Sequence, residues 1–140
     1  MSLQITHRIT EDQFEQLSSF YFDTWWTSYR TKQELQDGIE HSSINFFAIE
    51  GDRLIGIARV LTDDQFKAFI LDVVVDPAYQ NKGVGTFIMT SIEESPRLAN
   101  VDHIELFCKG EMIPYYNKLG FDVIPADIYA LRKDQKKARD

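Results

Sequence analysis

The stretch Val73-Val74-Val75-Asp76-Pro77-Ala78-Tyr79-Gln80-Asn81-Lys82-Gly83-Val84-Gly85-Thr86 constrains this chain more than any other. Its three valines close an apolar run that begins at Phe69, a pattern that predicts a strand covered on both faces. Asp76-Pro77 ends that strand, and two glycines lead into Val84, Phe87, Ile88 and Ile92, an apolar stripe at helical spacing over Gly83–Glu94. A further strand, His103 to Cys108, follows. Strand, helix and strand in this order predict a right-handed crossover that joins parallel strands. The fold class expected is therefore α/β.

The flanking elements fit around that unit. Leu3 to Ile9 alternates as a strand, and Thr10-Glu11-Asp12 opens a helix bearing Phe14, Leu17, Tyr21 and Trp25 at helical spacing. Thr31-Lys32-Gln33-Glu34 has the capping-box pattern for a second helix with Leu35 and Ile39 on its apolar face. Ile44–Glu50 and Leu54–Leu61 read as a hairpin turning at Gly51-Asp52. Pro114 and Gly120 bracket a short helix, after which Phe121–Ile124 and Tyr129–Arg132 would close the sheet. The order is β-α-α-β-β-β-α-β-α-β, a mixed α+β sheet flanked by helices. No repeat or linker interrupts it, so residues 1–132 read as one domain and residues 133–140 as a polar, solvated tail.

Charge and cysteine content narrow the partners. Fifteen basic against twenty-two acidic residues leave a net charge of −7, which argues against nucleic acid and eases the approach of a cationic small molecule. No apolar run reaches the roughly 18 residues of a membrane span. Met1 to Ile5 lacks the charged-then-apolar layout of a signal peptide. The single cysteine, Cys108, forbids an intrachain disulfide and favours a reducing compartment, so a cytoplasmic location is expected. His7, His41, His103 and Cys108 show no metal-ligand spacing, and no metal is expected.

The glycine-bearing loop is where chemistry is expected. Glycines at 83 and 85 let a ligand approach the backbone, and the free N–H groups of the first helical turn favour a phosphate or pyrophosphate. A tight turn with close helix–strand packing explains the same glycines without a ligand. The dinucleotide pattern GxGxxG fails because its third position is Ile88, and the P-loop pattern fails for want of a Gly-Lys-Ser/Thr triplet.

Gln80-x-x-Gly83-x-Gly85, after the Val-Val-Val-Asp-Pro strand end, resembles the (Arg/Gln)-x-x-Gly-x-(Gly/Ala) signature of the GNAT acetyltransferase superfamily. Tyr116-Asn117-Lys118-Leu119-Gly120-Phe121 resembles that superfamily's later Tyr-x-x-x-Gly-Phe segment, and the element order agrees along the chain. Arg59-Val60-Leu61-Thr62-Asp63 and the Trp25-Trp26 pair look like a bacterial subgroup of small, uncharacterised members. The resemblance implies acetyl-coenzyme A as co-substrate. It implies a pyrophosphate on the amides of Gln80, Asn81, Lys82, Gly83, Val84 and Gly85, with Thr86 as a hydroxyl donor. The pantetheine arm would pair with the backbone of Val73, Val74 and Val75, where relatives carry a bulge that splays the strand from its neighbour. Asn117 touches the cofactor in relatives, and a helix-surface asparagine is its plain alternative.

Transfer to an amine needs a polarised thioester carbonyl, a neutral amine and a protonated leaving thiolate. The N–H near Val74 is the expected polarising donor. An alkyl ammonium of pKa about 10.4 is only about 0.04% neutral at pH 7, so a base or desolvation is required. By resemblance Tyr116 is the acid, with packing among Ile113 and Leu119 as its alternative reading. Relatives carry a Glu where this chain has Phe69, which leaves Asp72 as candidate base, directly or through water, and Glu105 behind it. An Asp72 tied to backbone donors explains the residue equally well. Trp25, Trp26, Tyr29 and Arg30 would line the acceptor site, with Trp25 and Tyr29 sharing a helical face; the same aromatics could instead be core. The expectation is an N-acetyltransferase acting on a small-molecule amine in a ternary complex. A non-catalytic acyl-coenzyme A sensor of the same fold is the alternative, and edge strands near the C-terminal end could pair in a homodimer.

Overall fold

A computed structural model of the chain describes residues 1–136. Its backbone gathers into two compact units, Met1–Phe107 and a second that begins at Cys108. The first holds one five-stranded sheet in which spatial order follows chain order. Strand β1 (Leu3–Thr6) pairs antiparallel with β2 (Ile44–Glu50), β2 with β3 (Arg53–Thr62), and β3 with β4 (Lys67–Val75). Strand β5 (His103–Glu105) lies parallel to β4, as the crossover unit requires. The mixed sheet expected from the sequence is thus present.

Helices cover both faces of the sheet centre. Helix α1 (Glu11–Tyr21) and helix α2 (Lys32–His41) each start at a threonine in a capping box: Thr10 with Gln13, and Thr31 with Glu34. Leu17, Phe20, Tyr21 and Leu35 meet Phe47, Ile49, Leu54, Ile57 and Val74 in one buried cluster. Helix α3 (Val84–Glu93) lies over the opposite face, where Ile88 and Val84 approach Gly56. With helices on both sides, β2 is buried at five consecutive positions, Asn45 to Ile49. Strand β4 differs from expectation: buried and half-buried residues alternate along it, so only one face is sealed. That half-open face belongs to the site described below.

Three further expectations are corrected. Helix α1 stops at Tyr21, because the Thr27 hydroxyl takes the Tyr21 carbonyl in a 2.6 Å hydrogen bond, so Trp25 and Tyr29 lie in a turn-rich segment without a common helical face. Strand β5 is three residues long and ends at Glu105. In the second unit, helix α4 (Ile113–Lys118) ends before Gly120, whose φ of +91° suits a glycine, but no strand forms over Phe121–Ile124 or Tyr129–Arg132 among the described residues. Pro125 interrupts the alternating pattern there, and its carbonyl accepts the Ile128 N–H (3.1 Å) in a turn. Of the expected tail, residues 133–136 are exposed, and residues 137–140 lie outside the described residues.

The seat of α3 on the sheet depends on a missing side chain. A Cβ at Gly56 would stand 2.9 Å from Ile88 Cδ1 and 3.4 Å from both Val84 Cγ1 and the Val74 carbonyl oxygen. Gly56→Val should lower the unfolding free energy by about 1–3 kcal/mol through overpacking, read as a reduced urea midpoint at unchanged slope. An unchanged midpoint would show that α3 does not rest on this position.

Candidate active site

The site begins with a fault in a ladder. Ile57 pairs with Val74 and Arg59 with Leu71, so Asp72 and Val73 together stand opposite Ala58. This two-against-one register is a β-bulge. Asp72 takes up the extra residue at φ +54°, a left-handed conformation that aspartate tolerates better than most L residues. Pairing of β4 with β5 covers only Lys67 to Phe69. Beyond Phe69, among the described residues, the β5-facing backbone of β4 carries no strand ladder.

The bulge aims the Asp72 carboxylate into the protein, where its side chain is 4% exposed and fully engaged. Oδ2 accepts hydrogen bonds from the Tyr21 hydroxyl, Arg30 Nη1 and Arg59 Nε, each at 2.8 Å, and Oδ1 accepts from Trp26 Nε1 at 3.1 Å. Arg30 Nη1 also donates to the Tyr21 oxygen at 2.6 Å. Arg59 Nη1 reaches on to the Gly38 carbonyl (3.3 Å) and the Ser42 hydroxyl (3.1 Å) at the end of α2. Burial alone would raise the Asp72 pKa, but the Arg59 and Arg30 guanidiniums outweigh it and hold the carboxyl below its ordinary value. Burial, then the Asp72 carboxylate, push the Tyr21 phenol up. Asp72 is thereby an ionised anchor with both oxygens occupied, tied down by side-chain donors where the sequence suggested backbone ones. Glu105 is occupied too, with Oε1 2.5 Å from Lys67 Nζ.

The glycine-bearing loop follows directly. Asp76 caps a 3-10 turn, Pro77–Tyr79, by accepting the Ala78 N–H at 3.0 Å. Gln80 folds back to donate to the Val75 carbonyl (3.2 Å), and the Lys82 ammonium sits 5.6 Å from the centre of the Tyr79 ring. Asn81 (φ +62°) and Gly83 (φ +83°) both take left-handed backbone, which turns the chain into α3. A Cβ at Gly83 would meet nothing within 4 Å, so the space before the helix is open. The first helical acceptor, the Gly83 carbonyl, takes the Phe87 N–H, which leaves the N–H groups of Val84 and Gly85 without intrahelical acceptors. Val84 itself is buried and contributes backbone only.

In the second unit, Tyr116 stacks edge-on with Tyr115 (5.0 Å) and Phe121 (6.1 Å). Burial, then Tyr115 and Cys108, raise its phenol pKa, so it holds its proton at neutral pH. Asn117 Nδ2 donates to the Phe121 carbonyl at 2.8 Å and closes the turn after α4, a local use of the amide. Of the aromatics expected at an acceptor site, Trp26 is drawn to Asp72, whereas Trp25 and Tyr29 are 67% and 50% exposed in the adjoining segment. The sequence reading did not assign Arg59 or Tyr21 to the site. Arginine in the apolar run Leu54–Leu61, like aspartate in Phe69–Val75, was the available signal, since buried charges come paired.

A mixed sheet with a bulge in its fourth strand, leading through a glycine-bearing loop to a helix N-terminus, is the architecture that the resemblance of the two motifs implies. Residues 7–121 match the sequence model of the Acetyltransferase (GNAT) family, and the chain belongs to that family. It is 35% identical over 96 residues to an uncharacterized N-acetyltransferase, ycf52, of Porphyra purpurea, covering 66% of this chain and 55% of that protein. It is 37% identical over 79 residues to the histone acetyltransferase TAP1 of Glycine max, covering 56% and 34% respectively. The chain thus spans about half the length, or less, of these curated relatives. A probable acetyltransferase from Staphylococcus aureus shares the fold with a TM-score of 0.76 at 22% identity, covering 95% of this chain and 99% of that one. Among the described residues no helix is long and apolar enough to cross a membrane, and no His, Cys, Asp or Glu trio is placed to hold a metal ion.

The Asp72 cluster contributes to the acid limb of stability. Its folded pKa lies below its unfolded value of about 3.9, so its contribution is fully present above that value and is lost as pH falls through the folded pKa. Asp72→Asn, which leaves two arginines without their anion, should cost about 3–5 kcal/mol at pH 7. The same variant should show a shallower fall in Tm between pH 5 and pH 2 than the unmodified protein. Equal acid slopes would mean that Asp72 is not held ionised.

Proposed function

We propose that this chain transfers the acetyl group of acetyl-coenzyme A to the amine of a small molecule, by direct attack in a ternary complex. The observation that carries this reading is the bulge at Asp72–Val73, on a strand with no β5 ladder beyond Phe69, immediately before a loop that leads to the α3 N-terminus. Family membership supports it, since the match spans both units. Residues 1–132 act as one catalytic domain in this reading.

Extended backbone at Val73, Val74 and Val75 fits the amide-bearing arm of coenzyme A, as an added strand would be received. The N–H groups from Gln80 to Gly85 fit its pyrophosphate, with the Thr86 hydroxyl as a further donor and the positive end of the α3 dipole in support. When bound, acetyl-coenzyme A supplies an activated thioester carbonyl. In this reading the Val74 N–H would polarise that oxygen, and by its motif Tyr116 would be the group that protonates the leaving sulfur. Tyr116 takes this role from its motif and from a pKa that keeps it protonated. Asn117 and Lys82 support the cofactor, and Trp25, Trp26 and Tyr29 border the amine. Because Asp72 is committed to four donors, loss of the amine proton falls to water and to desolvation of the acceptor rather than to this carboxylate. That same commitment favours, as a second reading, a sensor that binds acetyl-coenzyme A without turnover. The single cysteine supports a reducing, cytoplasmic setting.

Thermal unfolding with acetyl-coenzyme A, coenzyme A and NAD tests the cofactor. At about 100 times its Kd a ligand stabilises the native state by about 2.7 kcal/mol, and only the two coenzyme A species should do so. Gly83→Val, which forces a β-branched residue into left-handed backbone, should abolish the shift. No shift with either would reduce the loop to a packing turn.

Turnover on an amine panel separates enzyme from sensor. With an accepted amine, Tyr116→Phe should lower kcat by about 10²-fold or more while the acetyl-coenzyme A KM holds. An unchanged kcat under chemistry-limited conditions would remove Tyr116 from the acid role. A trapped acyl-enzyme or ping-pong kinetics would overturn direct transfer.

A further inference from the structure

We propose that the amine acceptor is an arylalkylamine, a primary amine held a short alkyl chain away from an aromatic ring, and that Phe69 and Phe107 select it. The inference rests on the reading that acetyl transfer takes place beside Val73 and Val74. It starts from the half-open face of β4. Arg59 marks that face, since its guanidinium meets both Asp72 and the end of α2. In the ladder between β3 and β4, Arg59 stands opposite Leu71, and Leu61 stands opposite Phe69. Residues directly opposite share a face, as do alternate residues of one strand. Leu61, Phe69 and Leu71 therefore lie on the side of Asp72 and its partners.

None of the three is sealed: Phe69 and Leu71 are half-buried, and Leu61 is 42% exposed. Phe107, just past β5, is 73% exposed and sets its ring edge-on to Phe69, with centroids 5.6 Å apart. The charged groups beside them are already paired. Asp72 holds Arg30 and Arg59, and Glu105, the register partner of Phe69, lies 2.5 Å from Lys67. A ligand reaching along β4 toward Val73 thus meets an aliphatic and aromatic floor.

That floor suits one kind of amine. At a strand rise of about 3.3 Å per residue, Leu71 stands about 7 Å and Phe69 about 13 Å before Val73. An amine nitrogen beside Val73 therefore carries its ring over Leu71 toward Phe69 when a short alkyl chain separates the two. There the Phe69–Phe107 pair offers ring edges and faces at the separations aromatic groups prefer. A second ammonium at the same end would lose hydration on apolar surface whose neighbouring carboxylates are already engaged. The apolar floor also favours the neutral form of the attacking amine, which transfer requires.

Initial rates with phenethylamine and putrescine, primary amines of similar reach, test the class. The kcat/KM for phenethylamine should be higher by about tenfold or more. Phe107→Ser removes an exposed ring and should raise the phenethylamine KM several-fold while kcat changes little. Phe69→Ser should do the same, and Phe107→Ser decides the matter if that variant does not fold. A kcat/KM for putrescine equal to or above that for phenethylamine would overturn the class. So would acetyl-coenzyme A binding with turnover of neither amine. An unchanged phenethylamine KM in Phe107→Ser would overturn the selecting role of the ring pair. If acetyl-coenzyme A does not bind at all, the proposed function falls, and calorimetric titration of phenethylamine tests the floor by itself. Binding that weakens several-fold in Phe107→Ser would then support the floor, and no binding would overturn it.

Discussion

One buried carboxylate ties the first unit together. Asp72 is ionised in surroundings that would ordinarily neutralise a carboxyl, and it stays so because two guanidiniums, a phenol and an indole converge on it. Each donor comes with an element attached: Tyr21 with the end of α1, Trp26 and Arg30 with the segment after it, and Arg59 with β3 and, through Gly38 and Ser42, the end of α2. The desolvation cost of such a cluster makes it a poor source of net stability compared with an apolar replacement. Its value is geometric, since only one mutual arrangement of these elements satisfies every group. Both arginine side chains retain some exposure, 26% for Arg30 and 14% for Arg59, which tempers the desolvation cost without releasing either from the anion.

The other face of the sheet uses no charge at all. Helix α3 lies close because Gly56 has no side chain, and Ile88 and Val84 occupy the space a Cβ would take. This closeness fixes the direction of the α3 N-terminus, whose N–H groups project from the loop after β4. A polar clamp on one side and close apolar contact on the other therefore bear on the same stretch, Asp72 to Thr86. The sheet between them is sealed on both faces at β2, so little freedom remains for that stretch to drift.

Much of this was legible from the residues. The crossover, the two capping-box helices, the Gly51-Asp52 hairpin and the loop at Gly83 each have local determinants: a period, a cap or a residue suited to positive φ. The bulge was not legible from pattern alone, because the apolar run of Phe69 to Val75 does not show which residue will be unpaired; the resemblance implied one near Val73 to Val75, and it falls at Asp72 and Val73. The end of α1 was misplaced because Trp25 keeps helical spacing with Tyr21, and only the Thr27 hydroxyl, six residues on, takes the carbonyl that another turn would have used. The strands expected after Gly120 fail for a similar reason. Alternation in Phe121–Ile124 and Tyr129–Arg132 is a local signal, whereas a strand needs a partner edge, and none forms for them among the described residues.

The sequence left two readings of Asp72 open, base or tied aspartate, and the difference bears on the chemistry. A general base must have a lone pair to offer and a pKa near the working pH. Asp72 is poorly suited on both counts, since three donors crowd Oδ2, Trp26 takes Oδ1, and its pKa is driven down, away from neutrality. The same cations that disqualify it as a base make it effective as an anchor. In the reaction proposed, an amine would lose its proton to water or arrive neutral, which would favour acceptors whose ammonium pKa lies well below that of a lysine side chain, or sites dry enough to lower it. In this chain, specificity among amines would thus depend on basicity as well as on shape.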